Sequence, residues 1–184
     1  MLHPRILAPL PRRLAALLLL LWAGTDPVAI DLGRWARHLK HHGDWTSLDF
    51  RHPETGLFLA ARAGTEDPQA GATLTLTMAP AVDCVVDTVL VFKDRVPARV
   101  DAEEAIQVAL AADGAPPRVA RARLVRVAGD VFFFVQLAGG LPVAGNRARL
   151  TVTLPDGRQA QFSLRGFEEA RQAAFATCQS FLPR

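Results

Sequence analysis

The sequence is poor in cysteine and carries none of the common catalytic signatures. Its 184 residues include only two cysteines, Cys84 and Cys178, so the C-x-x-C pair of a thiol-disulfide enzyme is absent. There is no G-x-S-x-G, H-E-x-x-H, phosphate-binding loop or dinucleotide fingerprint. These absences argue against redox enzymes and the main hydrolase, metalloprotease and nucleotide-binding classes. They favour a non-catalytic protein that needs no cofactor.

Long hydrophobic runs are also scarce. The apolar run at 14–22 has about nine residues, whereas a helix that crosses a bilayer needs about 20. We therefore expect no integral membrane span in the mature chain. Arg5, Arg12 and Arg13 precede the run and small residues follow it, which is the order of a secretory signal peptide. Residues 1–24 are thus predicted to export the protein to the bacterial periplasm, with an uncleaved N-terminal anchor as the alternative.

Excess basic charge disappears once this segment is removed. Residues 1–24 contain three Arg and no acid, which leaves 18 basic and 18 acidic residues in the remaining chain. A nearly neutral domain lacks the basic surface of most nucleic-acid-binding proteins. We therefore expect no nucleic-acid partner. An envelope protein or a small ligand is the expected partner, and the sequence does not set the oligomeric state.

Short β-prone runs dominate residues 45–164. Turns rich in Gly, Pro and Asp separate nine alternating or continuously apolar segments. These are residues 45–50, 56–63, 72–79, 82–92, 105–112, 118–127, 131–138, 148–154 and 158–164. The clearest hairpin turns are Gly129-Asp130 and Pro155-Asp156-Gly157, and residues 101–111 could also begin as helix. The pattern predicts a mainly β fold, either an antiparallel sandwich or a partly open barrel.

The segment before these runs has a different periodicity. Leu32, Trp35 and Leu39 recur at helical spacing within residues 30–43. We predict that residues 25–43 form a short helix or a loosely docked arm.

The end of the chain has the pattern of an amphipathic helix. Six apolar residues recur there at steps of three or four and share one helix face. They are Phe167, Ala170, Ala174, Phe175, Cys178 and Phe181. We expect this helix to pack on the sheet by that face. No repeat or linker divides the chain, so residues 44–184 are predicted to form a single β-rich domain closed by the helix.

Both cysteines are predicted to be buried. Cys178 lies on the apolar helix face, and Cys84 would share a strand face with Val82 and Val86. Because an exported protein meets an oxidising compartment, we predict a Cys84–Cys178 disulfide rather than two free thiols. Closing so long a loop is worth about 4 to 5 kcal/mol in the chain-entropy account.

The histidines raise a hypothesis of metal or anion capture. On a helix, His38 and His42 would project from one side, and Asp44 or His52 would complete a metal site. The neighbouring Arg and Lys side chains disfavour a cation. A solvated basic face is therefore the simpler interpretation.

The same region supplies the only local set of groups for nucleophilic catalysis. Asp44, Ser47 and His52 are an acid, a hydroxyl and a base close together in sequence. They support an alternative hypothesis in which the protein is an envelope hydrolase.

Two further features of the strands are open to two interpretations each. Arg121 and Arg123 point to one side of their strand, where they would form an anion or acidic-lipid site or simply a solvated face. The three consecutive Phe at 132–134 would lie in a strand that is buried on both faces or form a patch that binds a partner.

Two motifs carry a family resemblance. "GDWT" at 43–46 precedes the β-rich body, and "FSLRGFEEA" at 162–170 opens the closing helix. This order, behind a signal peptide, resembles the invasion-associated locus B family of proteobacterial periplasmic proteins. The resemblance implies a small β-rich domain without an established catalytic residue set. The chain departs from that family because no Cys follows Trp45 closely, and no ligand or catalytic residue carries over. We expect an exported, non-catalytic, periplasmic or envelope-associated binding protein.

Overall fold

The computed structural model describes residues 32–92, 104–113, 116–127, 130–136, 141 and 149–183. Within these ranges the chain is mainly β, as predicted, with a helix at its C-terminal end. The predicted signal peptide lies outside the described residues. No helix in the described part combines the length and apolar character needed to cross a membrane.

Ten strands and two helices make up the described elements. The strands are β1 (Ala36–His42), β2 (Trp45–Arg51), β3 (Phe58–Asp67), β4 (Ala72–Met78), β5 (Val86–Phe92), β6 (Glu104–Ala112), β7 (Arg118–Val127), β8 (Asp130–Gln136), β9 (Arg149–Thr153) and β10 (Gln159–Ser163). The helices are α1 (Leu32–Trp35) and α2 (Phe167–Gln179), and a 3-10 turn spans Pro80–Val82.

The strands form one antiparallel ladder in the order β1-β2-β3-β4-β5-β8-β7-β6-β9-β10. Strands β2 to β10 fall on the nine predicted segments, which confirms those predictions. The ambiguous segment is strand from Glu104 onward, and residues 101–103 lie outside the described part.

The two halves of the ladder share one hydrophobic core. In β9 and β10 the burial alternates, so that Leu150, Val152 and Phe162 point inward. They join Trp45 and Leu74 from the first half in a single apolar cluster. Helix α2 packs on β2 and β3 and adds its own apolar face to that cluster. The fold is therefore a sandwich-like arrangement closed by the C-terminal helix.

The prediction of a helix or loose arm before the sheet is only partly correct. The helix ends at Trp35, and the chain then forms β1, which pairs with β2. Leu39 is 58% exposed instead of lying on a buried helix face. Gly43, with φ of 63°, turns the chain into β2. Hydrogen bonding to the edge of β2 stabilises a strand here more than the weak helical periodicity stabilises a helix.

The two predicted hairpins are both present. At Pro155-Asp156-Gly157 the Leu154 amide donates to the Arg158 carbonyl at 2.9 Å, and Gly157 has φ of 86°. The other hairpin pairs Val127 with Asp130, so Asp130 opens β8 instead of sitting in the turn. Its predicted partner in the turn, Gly129, lies outside the described residues.

A disulfide joins Cys84 to Cys178, as predicted, with their Cα atoms 6.0 Å apart. Both residues are buried. The strand placement of Cys84 is wrong, however. Cys84 follows the Pro80–Val82 turn with φ of 57°, and β5 begins only at Val86. Because Asp83 and Cys84 are both left-handed, the chain turns before the strand starts.

Candidate functional site

The two motifs of the family resemblance meet in space at one corner of the sheet. The Asp44 amide donates to the Arg165 carbonyl at 3.0 Å, and the Arg165 guanidinium donates to Asp44 Oδ1 at 2.5 Å. Trp45 Nε1 donates to the Ser163 carbonyl at 2.7 Å. We call residues 43–45 and 163–167 the closure corner, because they join the β1–β2 turn to the end of β10.

Two glycines allow the backbones to touch at the closure corner. A Cβ on Gly166 would lie 1.5 Å from the His42 carbonyl oxygen, and one on Gly43 would lie 2.8 Å from the Arg165 carbonyl oxygen. Both residues also have positive φ. The rings of Trp45 and Phe167 pack edge to face, 4.9 Å apart. The motif residues therefore serve the fold here.

Asp44 is held in this corner as a carboxylate. The hydrogen bond from Arg165 lowers the pKa of Asp44 most, a hydrogen bond with Ser163 lowers it further, and slight desolvation opposes both. The backbone carbonyl oxygen of Asp44 also accepts a hydrogen bond from Thr65 Oγ1 at 2.8 Å. A carboxylate with a lowered pKa and a fixed Arg partner is a poor general base.

The structure does not bring the predicted hydrolase residues together. Asp44 and His52 flank the two ends of β2, roughly 25 Å apart along an extended strand. Ser47 Oγ contacts His42 Nε2 at 2.8 Å, and Ser47 is only 5% exposed. The His52 ring packs instead against Trp35, with ring centroids 5.3 Å apart.

His38 and His42 lie on a strand, and each uses a different partner. His38 Nδ1 contacts Asp49 Oδ1 at 2.7 Å, and Arg51 Nε donates to Asp49 Oδ2 at 2.6 Å. Asp49 is 1% exposed, so these two partners compensate a buried carboxylate. The His42 ring contacts Ser47 instead. In the described part of the chain, no group of three or more His, Cys, Asp or Glu could hold a metal ion.

The structure describes only part of two features predicted on the strands, the pair of Arg121 and Arg123 and the three Phe at 132–134. Arg121 is exposed on β7 and pairs in register with Gln107 and Gln136. The side chain of Arg123 and those of residues 132–134 are outside what the structure describes. Strand β8 does lie inside the ladder, between β5 and β7.

An open groove with a volume of 1320 Å³ lies against β2, β3 and β4. It uses the strand face opposite the core, since Trp45 and Ser47 alternate with Thr46 and Leu48 along β2. The far wall comes from β9, β10 and the turn between β3 and β4. Uncharged polar side chains are prominent in the lining: Thr46, Thr73, Thr75, Gln159, Gln161 and Ser163.

Arg62 places a cation in this groove. Its Nε donates to Thr77 Oγ1 at 3.2 Å, and its guanidinium carbon lies 4.5 Å from the centroid of the Phe50 ring. Burial lowers the pKa of Arg62 to about 10, so the group still carries its charge at neutral pH. On the far wall, Arg149 donates to the side chain of Gln161 at 3.1 Å.

The carboxylates beside the groove differ in their availability. Asp67 Oδ2 accepts a hydrogen bond from the backbone N–H of Gln161 at 2.7 Å, and Oδ1 accepts hydrogen bonds from the backbone N–H groups of Gln69 and Ala70. Asp67 therefore shapes the wall. Glu66 lines the same groove and is exposed.

The lining of the groove is rich in groups that form hydrogen bonds. Hydroxyl and amide side chains both donate and accept hydrogen bonds, and charged side chains of both signs also line the groove: Arg62, Arg149, Asp44, Glu66 and Asp67. None of the described lining residues is a His, Cys or Lys. The groove escaped prediction because only its threonine alternation, "TLTLT" at 73–77, is visible along the sequence.

Comparison of the chain with protein-family models, curated proteins and solved structures found no match in any of the three.

Proposed function

We propose that this chain is an exported, non-catalytic binding protein of the bacterial periplasm or envelope, and that the groove holds its ligand. The observation that carries the proposal is the groove itself, a large polar concavity whose described lining contains no His, Cys or Lys. The mixture of hydroxyl, amide and charged groups fits a ligand rich in hydroxyls and amides, such as an envelope glycan.

Two features support export. The N-terminal 24 residues have the order of a signal peptide. The Cys84–Cys178 disulfide fits an oxidising compartment. The proposed kinship with the invasion-associated locus B proteins agrees with this location, and it rests on the closure-corner motifs alone.

Export is tested by expressing the full chain in a bacterial host and separating periplasm, membranes and cytosol. We expect the protein outside the cytosol, with an intact mass that shows removal of the N-terminal segment. Full-length protein confined to the cytosol would contradict the location.

Ligand binding is tested by following backbone amide NMR shifts during titration with N-acetylglucosamine oligomers. We expect shifts that cluster on the groove. Thr73→Val removes a groove hydroxyl and should weaken binding about fivefold, the equivalent of one ordinary hydrogen bond. Thr153→Val is the matched control, since Thr153 is similarly half-buried but does not line the groove. Equal affinity of the two variants, or shifts elsewhere, would remove the groove as the binding site.

The envelope-hydrolase alternative now rests on one contact, between His42 and Ser47. Ser47 is buried, and the predicted partners Asp44 and His52 are engaged elsewhere. We expect a fluorophosphonate probe, which labels activated serines, to leave the folded protein unmodified. Labelling that disappears in Ser47→Ala would revive the alternative.

A further inference from the structure

Strand β1 presents an exposed basic edge. It is the first strand of the ladder and, among the strands described, pairs only with β2. Between residues 34 and 41 the chain carries basic side chains and no acid, and all of those side chains are exposed. They are Arg34, Arg37, His38, Lys40 and His41. We call residues 34–41 the basic edge.

The charge of this edge is only partly compensated by ion pairs to the acidic residues in the described ranges. His38 contacts the buried carboxylate of Asp49. Arg34 and Lys40 have no ion pair with any acidic residue that the structure describes. Since the chain after residue 24 has equal numbers of basic and acidic residues, this concentration of one sign is a local feature. An anionic partner complements it.

The backbone of β1 is poorly suited to pairing with another strand. Its register with β2 shifts between Arg37 and Lys40, and His38 at that position has φ of 52°. Such a bulge and an edge Lys are devices that discourage strand addition. A second copy of the chain would also bring like charges together. These observations favour recognition by side-chain charge over recognition by the backbone.

We propose that the basic edge docks on an anionic phospholipid surface, with its cations against the lipid phosphates. Leu39, 58% exposed at the centre of the edge, can enter the headgroup region beside them. Juxtaposed Lys and Arg side chains are the usual means by which a protein surface holds acidic lipid. The proposal deepens the envelope location proposed above and rests on it for its biological setting.

The test is co-sedimentation of the purified, processed protein with vesicles. One set contains phosphatidylglycerol and phosphatidylcholine in equal parts, and the other contains phosphatidylcholine alone. We expect binding to the first set that weakens as salt is raised. Arg34→Gln combined with Lys40→Gln should lower the partition coefficient roughly thirtyfold, about fivefold for each basic residue. Both side chains are exposed, and circular dichroism should show an unchanged fold.

The matched control is Arg118→Gln, compared with the single variant Lys40→Gln, which should bind about fivefold more weakly than the unmodified protein. Arg118→Gln removes the same charge from an exposed position on β7, and we expect it to bind vesicles like the unmodified protein. Equal loss in these two single variants, no loss in the Arg34→Gln and Lys40→Gln double variant, or equal binding to neutral vesicles would each overturn the proposal. Fractionation and intact mass test the export separately. An exported protein that does not bind acidic vesicles would therefore contradict the lipid docking and leave the proposed export intact.

Discussion

Trp45 and Ser163, 118 residues apart in sequence, are joined by a hydrogen bond of 2.7 Å from the indole nitrogen to the backbone carbonyl. Strand β10 ends the ladder, so its outer edge pairs with none of the strands that the structure describes. Three hydrogen bonds supply partners along that edge and just beyond it. They are the bond from Trp45, the bond from the Gln161 backbone amide to Asp67, and the bond from the Asp44 backbone amide to the Arg165 carbonyl. Two side chains and one backbone amide thus take the place of a strand in closing the sheet.

Trp45→Phe tests whether the hydrogen bond from Trp45 helps to close the sheet. Phe preserves an aromatic ring beside Phe167 but leaves the Ser163 carbonyl without its donor, in a place where Trp45 is fully buried. We expect the free energy of unfolding to fall by about 2 kcal/mol. Urea titration followed by far-ultraviolet circular dichroism measures the loss. Trp35→Phe, at a half-buried residue outside the corner, should cost less than about 0.5 kcal/mol. Similar losses in the two variants would mean that the bond is unimportant.

The contact between Gly166 and His42 yields a second prediction. Gly166→Ala places a methyl group against a backbone carbonyl, so we expect a loss of roughly 3 kcal/mol or more in unfolding free energy. Gly157→Ala is the matched control, because Gly157 has nearly the same φ and nothing lies within 4 Å of the added Cβ. It should cost only the backbone penalty, about 1 kcal/mol. Denaturant midpoints compare the two. If both variants lose the same stability, the close approach does not hold the corner.

Local patterns were sufficient to predict most of the fold. Alternating or continuously apolar segments of the sequence located β2 to β10 along the chain. The Pro155-Asp156-Gly157 turn could be predicted because its backbone needs those residues. Strand β1 was missed since its side chains are exposed and charged, and only its pairing with β2 makes it a strand. Cys84 was placed in a strand because the left-handed backbone of Asp83 and Cys84 leaves no trace in hydrophobic alternation.

The sites were harder to predict than the strands. The Cys84–Cys178 pair followed from composition, since no other pairing exists. The groove combines β2, β3 and β4 with β9 and β10, and their meeting depends on how the ladder folds over. The proximity of Asp44, Ser47 and His52 in sequence was misleading, because an extended strand separates neighbours by several ångströms and alternates their faces.

The pair of Asp44 and Arg165 predicts a specific dependence of stability on pH. The pKa of Asp44 is lowered in the folded protein, so the ionised form stabilises folding fully above its ordinary value of 3.8. That stabilisation is lost as the pH falls below 3.8 through the lowered folded value. Because both side chains are substantially exposed, we expect Asp44→Asn to cost only about 0.5 kcal/mol at neutral pH.

The measurement is urea unfolding of the two proteins across the acid range. The stability difference between the unmodified protein and Asp44→Asn should shrink toward zero as the pH falls below 3.8. Glu54→Gln, which removes a carboxylate from the exposed turn after β2, is the control for net charge. A difference that stays constant with pH would show that the carboxylate charge of Asp44 does not stabilise the corner.

The disulfide ties the C-terminal helix to the turn before β5. Helix α2 already packs on β2 and β3, so the bond adds stability chiefly by restricting the unfolded chain, in which it closes a loop of 94 residues. Replacing both cysteines, as Cys84→Ala with Cys178→Ala, should lower the unfolding free energy by about 4 kcal/mol. Removing the buried sulfur atoms also loosens the packing between helix and sheet.

Reduction separates those two effects. Both cysteines are buried, so a mild reductant should leave the folded protein oxidised and act only after denaturant is added, as intact mass shows. We expect the reduced protein to lose most of the stability that the double variant loses, since reduction opens the loop but keeps both sulfur atoms in place. Equal stability of the oxidised and reduced proteins would show that the cross-link itself contributes nothing. The cost of the double variant would then come from packing alone.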